Sequence, residues 1–432
     1  MLTDINDHTP VVVAGCRTPF LRAGTDFKDL SSYDLARIAL KGVVDMAGLP
    51  PREIEHVIFG CVLSEPQTSN VAREAVIGAN LPLGISAHTV AMACISGGQA
   101  ITYGAGLIAC GQANVVAAGG TECLSNIPIL FRRPFRRKLM DMRRLKTPLD
   151  WVKWAAGLRP RDLLPEIPEI AEFSNGLSMG QSSDRLAARW GVGREEQDRF
   201  ALRSHHLAAR ATEKGLFAEE ILPVPVPPNF RTVSRDNGIR GDSTLEKLSK
   251  LPPAFYSPFG TATAGSSSFL SDGGAAALLM SNRKAKELGY TPLARIAGFA
   301  FAGCDPFEEL LLGPAYAVPK LLAQTGVNLS SIDVFEFHEA FAGQVLANLR
   351  ALDSESFARE KLGRGSKVGQ IDIEKLNARG GSLSLGHPFG ATGVRLFINC
   401  CNRLRFENGS LGLIASCAAG GLGLAMLIER MS

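Results

Sequence analysis

Four residues of the 432-residue chain combine a reactive side chain with a setting that suits chemistry. Cys94 lies in MACISGGQAI, just before the expected start of a helix. A helix N-terminus favours a thiolate through its dipole. Ser96 and the pair Gly97–Gly98 allow the backbone to come close. The competing reading is an inert buried thiol. His387 lies in GGSLSLGHPFGATGVR, where Pro388 and the glycines at 380, 381, 386, 390 and 393 make a rigid loop. An imidazole held there suits a general base for a thiol; otherwise it is a structural loop residue. Cys417, in SCAAGGLG, and His338, in FEFHEAFA, each end a buried apolar run. Each alone also reads as a core residue. Together, two thiols and two imidazoles at strand-to-loop junctions fit acyl transfer through a thioester, with a second acid/base group opposite.

The elements that must position these residues alternate. Apolar runs at 9–14, 57–59 and 114–118 read as strands, and 30–47 and 100–109 have helical periodicity. The rhythm predicts α/β layers around a largely parallel sheet. The plan then repeats. Residues 47–59 (AGLPPREIEHVIF) and 325–337 (TGVNLSSIDVFEF) share a glycine six residues before an isoleucine, a helix leading in and a strand leading out. Each half later has a Gly-rich turn, a helix and a strand. Duplication follows, with a cleft between two facing halves. Between the halves, 121–255 differs in character. It holds a basic run, Trp151 and Trp154, a Pro-rich piece at 159–168 and a helical run at 179–214.

Composition narrows the classes. At 46% hydrophobic and 20% charged, the chain can bury a large core, which excludes a disordered protein. Net charge is +4, but residues 132–146 (RRPFRRKLMDMRRLK) carry +7, leaving −3 elsewhere. Such a run is ordinarily a solvated face. The sharper readings are a phosphate-bearing ligand, an acidic partner or an anionic membrane surface. One short basic segment is little for a nucleic-acid binder. The acidic start MLTDINDHTP resembles neither a secretory nor a transit peptide. Nine cysteines without a C-x-x-C pair suggest reduced thiols, a cytoplasmic protein and no zinc. The uncharged stretch 411–428 splits around Ala-Ala-Gly-Gly, which predicts two buried strands rather than a membrane span.

Read in order, the chain resembles a thiolase from end to end. The motifs are GCRTPF (15–20), ACISGGQAI (93–101), SMG (178–180), GTATAGSSSFLSDGGAA (260–276), HEAFA (338–342), GGSLSLGHPFGATG (380–393) and CAAGGLG (417–423). HEAFA, where many thiolases have Asn first, and the stretch 158–180 are similar to the 3-ketoacyl-CoA thiolase β subunits of trifunctional fatty-acid-oxidation complexes. The resemblance implies a duplicated five-layer αβαβα fold with an inserted loop domain. Its N-terminal half would be 1–120 completed by 256–283, the insertion 121–255 and the C-terminal half 284–432.

The resemblance also implies roles. Cys94 would attack the keto carbon of a 3-ketoacyl-CoA, His387 would accept its proton, and Cys417 would protonate the departing acetyl-CoA carbanion. His387, with a water or side chain at His338, would form one oxyanion hole; the backbone N–H groups of Cys94 and Ala419 would form the other. Ser268, Arg240 and Met179 would contact the CoA substrate. No metal and no resident cofactor are expected. The implied partners are a second copy, a hydratase/dehydrogenase subunit of a β-oxidation complex and, through 132–146, a membrane surface. Ser178 stands where several short-chain thiolases have His, and the setting of Cys94 in CISGGQA differs from more usual patterns, which bears on chain length. A biosynthetic acetyl-CoA acetyltransferase, condensing two acetyl-CoA, is the alternative. A non-catalytic CoA carrier would lack the nucleophile or its base.

Overall fold

Apolar runs punctuated by glycine form strands covered on both faces. In the computed structural model, which describes residues 4–166 and 171–431, Val115–Cys123 and Ser271–Ser281 are buried at every position. They pair antiparallel from Asp272 opposite Cys123 to Met280 opposite Val115. The large sheet has the spatial order Val334–Phe337, Leu411–Ala418, Leu422–Arg430, Ala294–Gly303, Pro10–Arg17, Ser271–Ser281, Val115–Cys123, His56–Gly60, Ser86–Val90. Among the described residues its two halves pair through Val11 with Arg295 and Val12 with Ala294.

The sheet is mixed, not largely parallel as the alternating rhythm suggested. Parallel pairing occurs where a helix carries the chain back: His56–Gly60 with its two neighbours, and Val334–Phe337 with Leu411–Ala418. The remaining pairs are antiparallel. One of them is closed by the tight turn after Ala418, which cannot join parallel strands. That turn confirms the strand–turn–strand reading of 411–428. Among the described residues no helix is long and apolar enough to cross a membrane.

Three apolar clusters mark the layering. One lies between the N-terminal half of the sheet and the outer helices Ser32–Ala47 and Val71–Gly78. A second lies outside the C-terminal half, with Gly313–Thr325 and Ala342–Leu352. The middle cluster joins both halves through the helices Ser96–Ala109 and Phe389–Phe406. The order is thus helix, sheet, helix, sheet, helix, the five layers expected. The repeat is equally concrete. Gly48 and Gly326 both cap a helix in the left-handed region, at φ 62° and 69°. Each is followed by a 3₁₀ turn and an apolar strand. Glycine reaches that conformation without a Cβ clash.

The middle segment is not uniform. The chain forms two compact units, Met1–Asn126 with Ala171–Ser432, and Ile127–Ile170. The separate unit is narrower than the insertion drawn at 121–255. The strand Val115–Cys123 runs past residue 120. The run 179–214 is two helices, Met179–Arg189 and Arg194–Glu213, parted at Gly191 with φ 64°. Their residues Leu186, Ala187, Phe200 and Ala201 belong to the C-terminal core. The smaller unit contains the helices Arg133–Asp141 and Pro148–Ala156, joined by a bond from Trp154 Nε1 to Lys138 O of 2.9 Å. The Pro-rich piece 159–168 ends outside the described residues.

Candidate active site

The two central helices begin at one place. Ser96–Ala109 starts two residues after Cys94, and Phe389–Phe406 two residues after His387. Their first turns abut: a Cβ on Gly97 would collide with Gly390 O, and a Cβ on Gly393 with Gly98 N. The positive ends of two helix dipoles therefore face the same junction. Cys94 itself is set by a strained turn. Ala93 has φ 46°, a region that costs a residue with a Cβ on the order of 1–3 kcal/mol. Ser96 holds it there, its Oγ accepting from Met92 N at 2.7 Å and donating to Ala93 O at 2.6 Å. Glu122, at the end of its strand, accepts the N–H groups of Val62, Leu63 and Gly390 at 3.1, 3.0 and 3.1 Å. Burial outweighs these bonds and pushes its carboxyl up to about 7.

Cys417 closes the site from the other half. It ends the strand Leu411–Ala418, and the turn beyond needs Gly420 and Gly421 at φ 80° and 69°. Glu172 Oε2 accepts from Gly420 N at 2.7 Å and fixes that turn. The Ala419 N–H and the Cys94 N–H both favour a Cys94 thiolate. Burial first, then Cys94, raises the Cys417 thiol. Burial nevertheless pushes Cys94 up to about 12. The helix-dipole lowering expected from the sequence does not prevail, because desolvation of the thiolate is the larger effect. Cys94 rests as a thiol and requires a base.

The two imidazoles supply complementary groups. His338 follows the strand Val334–Phe337 and is anchored by its N–H on Ala415 O at 2.8 Å. The His338 and His387 rings lie 4.1 Å apart between centroids. Burial first, then Arg395, lowers His387 to about 3; burial, His387 and Arg395 lower His338 as well. Both rings are neutral. His387 Nδ1 lies 2.7 Å from Thr392 Oγ1, whose hydrogen goes to Pro388 O at 2.9 Å. Nδ1 must then be the donor, which leaves Nε2 with its lone pair free to take a proton. The structure gives Nε2 no hydrogen-bond partner.

A cavity of about 340 Å³ opens beside this centre. Arg240 lines it, as do Ser267 and Phe269 on either side of Ser268, whose N–H bonds Ala340 O at 2.9 Å. Leu270, next along, bridges to His387, so the cavity wall leads toward the imidazoles. Met179 instead packs against the C-terminal core. The sequence reading missed Arg22, His205 and Lys247, which also line the cavity. Arg22 stacks on Phe269 at 4.0 Å, and His205 Nδ1 accepts from Arg240 N at 3.2 Å. These residues lie outside the Gly-rich motifs, so no local pattern flagged them. The chain folds three cations, Arg22, Arg240 and Lys247, the last paired with Asp242, against apolar walls, which suits a long anionic ligand with a flexible stem.

A thiol between two duplicated halves, with a neutral imidazole base and backbone donors, defines an enzyme that transfers acyl groups. The thiolase N-terminal domain matches residues 10–283 and the thiolase C-terminal domain residues 290–430. The chain is 51% identical over 424 residues to the mitochondrial trifunctional enzyme subunit beta of Bos taurus, covering 98% of this chain and 89% of that protein. It is 49% identical to a probable 3-ketoacyl-CoA thiolase of Caenorhabditis elegans, covering 97% and 93%. The crystal structure of human mitochondrial 3-ketoacyl-CoA thiolase superposes with a TM-score of 0.84 at 32% identity, over 99% of this chain and all of that one. The chain belongs to the thiolase family and is an acyltransferase.

Proposed function

We propose that this thiolase works in fatty-acid β-oxidation, cleaving a 3-ketoacyl-CoA with CoA to acetyl-CoA and an acyl-CoA shortened by two carbons. The observation that best supports it is the junction where the helix starts that follow Cys94 and His387 abut, with the Ala419 N–H favouring the Cys94 thiolate and the His338 ring 4.1 Å from that of His387. The relatives named above favour degradation over the biosynthetic condensation of two acetyl-CoA.

Each residue then has a step. The Cys94 sulfur bonds to the 3-keto carbon while its proton passes to His387 Nε2. The bond between C2 and C3 breaks, and its electron pair leaves as the enolate of acetyl-CoA. The Cys417 thiol gives that carbon its proton. Incoming CoA returns a proton to the Cys417 thiolate and attacks the acyl thioester. Cys94 departs and recovers its proton from His387. The Cys94 and Ala419 N–H groups hold the oxyanion on the acyl carbon, while His338 and His387 hold the enolate oxygen. Arg240 and Ser268 bind the CoA moiety by family resemblance, with the cavity geometry supporting Arg240 most directly, while Met179, packed on the C-terminal core, rests on the resemblance alone. No step calls for a metal or a resident cofactor. Turnover of 3-ketohexadecanoyl-CoA against acetoacetyl-CoA tests the assignment. Preference for the short substrate would overturn the degradative reading.

The partners follow the same pattern. Kinship to a trifunctional β subunit supports assembly with a hydratase/dehydrogenase subunit. A homodimer is supported by Ser86–Val90, a part-exposed strand with one unpaired edge at the end of the sheet. In the smaller unit, Arg132, Arg133, Arg136 and Arg137 are exposed, and so are Leu130, Phe131 and Met140. Charge and apolar surface together suit docking on an anionic membrane or partner. All nine cysteines are free thiols, which supports a reducing, cytoplasmic setting. The bovine relative is named as mitochondrial, so cell fractionation is the direct test.

A further inference from the structure

His338 and His387 are neighbouring neutral imidazoles in one site, and the reaction asks opposite things of their Nε2 atoms. His387 Nε2 must accept a proton from Cys94. His338 Nε2 must donate to the enolate oxygen. Neutral imidazole exists as two tautomers, and the bond made by the other ring nitrogen selects between them.

Around His338 the selection is unambiguous. Its Nδ1 lies 3.0 Å from Ser382 Oγ. Arg395 Nη2 donates to the same Ser382 Oγ at 2.9 Å. Ser382, His338 and Arg395 are almost wholly buried, so water cannot substitute for a missing bond. A guanidinium has donors and no acceptor. Ser382 therefore cannot give its hydrogen to Arg395. Its one hydrogen has a single acceptor within reach, His338 Nδ1. If Nδ1 carried a proton instead, Ser382 would receive two donors and its own hydrogen would be stranded, at about 1–3 kcal/mol. The favoured ring has a bare Nδ1 and a protonated Nε2, and that Nε2 has no partner among the described residues. Thr392 imposes the reverse on His387, since its hydrogen is already directed to Pro388 O.

We propose that Ser382 and Arg395 are positioning residues that lock His338 into the tautomer donating from Nε2, making it a fixed hydrogen-bond donor to the enolate oxygen. The inference rests on the thiolase reading above and deepens it. The two central histidines become a matched pair, one set as acceptor by Thr392 and one set as donor by Ser382. Arg395 serves through Ser382. Its charge lies among buried groups that include Glu336 and Glu339, and its Nε and Nη1 have no hydrogen-bond partner among the described residues. A buried guanidinium kept with so few bonds is expensive, so a role beyond packing accounts for its place.

The test compares two reactions of one enzyme. Cleavage of 3-ketoacyl-CoA needs the enolate donor. Exchange of labelled CoA into an acyl-CoA needs only Cys94, its proton partners and the backbone oxyanion donors. In Ser382→Ala the ratio of cleavage to exchange should fall about tenfold or more, within the roughly hundred- to thousandfold that losing a whole oxyanion donor costs. Ser382→Thr, which keeps the hydroxyl, should restore the ratio. In a His338→Asn background the amide has no tautomer to set, and adding Ser382→Ala should lower the ratio no further. Nitrogen NMR of the unaltered, histidine-labelled protein should show His338 protonated on Nε2 and His387 on Nδ1, a reading that needs no variant to fold. A ratio unchanged in Ser382→Ala, an equal loss in the His338→Asn background, or a His338 protonated on Nδ1 would each overturn the lock. A wild-type protein that cleaves no 3-ketoacyl-CoA sinks the thiolase reading and the lock together; a wild type that cleaves, with an unaltered Ser382→Ala ratio, sinks the lock alone.

Discussion

At the scale of single residues, the resting nucleophile and its base are uncharged. Cys94 is a thiol held up at about 12 and His387 an imidazole held down to about 3. A helix dipole contributes roughly 0.3–1 kcal/mol near its end. Desolvation of a thiolate is larger, which is why the expectation of a lowered Cys94 failed. The sign gives a prediction. Far below its pKa, the thiolate fraction rises about tenfold per pH unit. Iodoacetamide labelling of the Cys94 peptide, followed by mass spectrometry, should climb without a plateau from about pH 7 to about pH 9. A plateau below that range would mean that the dipoles prevail. Cys94, His387 and Cys417 were legible because each sits in a motif with glycine or proline around it, and His338 because it ends the apolar run before HEAFA. Ser382 and Arg395 also lie in or beside the His387 motif, but their roles depend on a ring donated by a strand 44 residues earlier in the chain. Arg22 and His205 meet only through folding.

At the scale of elements, the site depends on how closely two helix starts approach. Gly390 touches Gly60 O and Thr121 O, and a Cβ there would collide with both backbones. Gly390→Ala should cost about 1–3 kcal/mol as overpacking, and should lower turnover at least tenfold by displacing the His387 loop. Gly106, in the helix after Cys94, has open space around it. Gly106→Ala should therefore leave turnover intact and stabilise the helix by about 0.5–1 kcal/mol. Thermal melts with parallel rate measurements check both. The hairpin Leu411–Ala418 with Leu422–Arg430 was legible, since length and a Gly-Gly turn allow little else. Strand direction was not. Ser271–Ser281 pairs with both Pro10–Arg17 and Val115–Cys123, and periodicity carries no information about partners so distant in the chain.

At the scale of the whole molecule, duplication was the most legible feature, because Gly48 and Gly326 mark the same helix end in each half. The extent of the insertion was less so: Met179–Arg189 and Arg194–Glu213 look polar in sequence yet bury one face in the C-terminal core. The net charge of +4 is one exposed +7 segment on a slightly acidic chain. Replacing Arg132, Arg133, Arg136 and Arg137 with Gln should weaken sedimentation with phosphatidylglycerol vesicles, most clearly at low salt. Turnover of soluble substrate should change less than about twofold, since those side chains make at most weak exposed ion pairs. A collapse of turnover with vesicle binding intact would assign the run to the active site instead.

The central claim is that Cys94 carries the acyl group from C2 of the 3-ketoacyl-CoA to the thiol of incoming CoA. Incubating the protein with 3-ketohexadecanoyl-CoA, without added CoA, and reading the intact Cys94 peptide by mass spectrometry tests it. The account predicts a tetradecanoyl thioester on Cys94, formed together with acetyl-CoA and discharged when CoA is added. Acetyl-CoA release with Cys94 unmodified, or full thiolysis by Cys94→Ala, would contradict it.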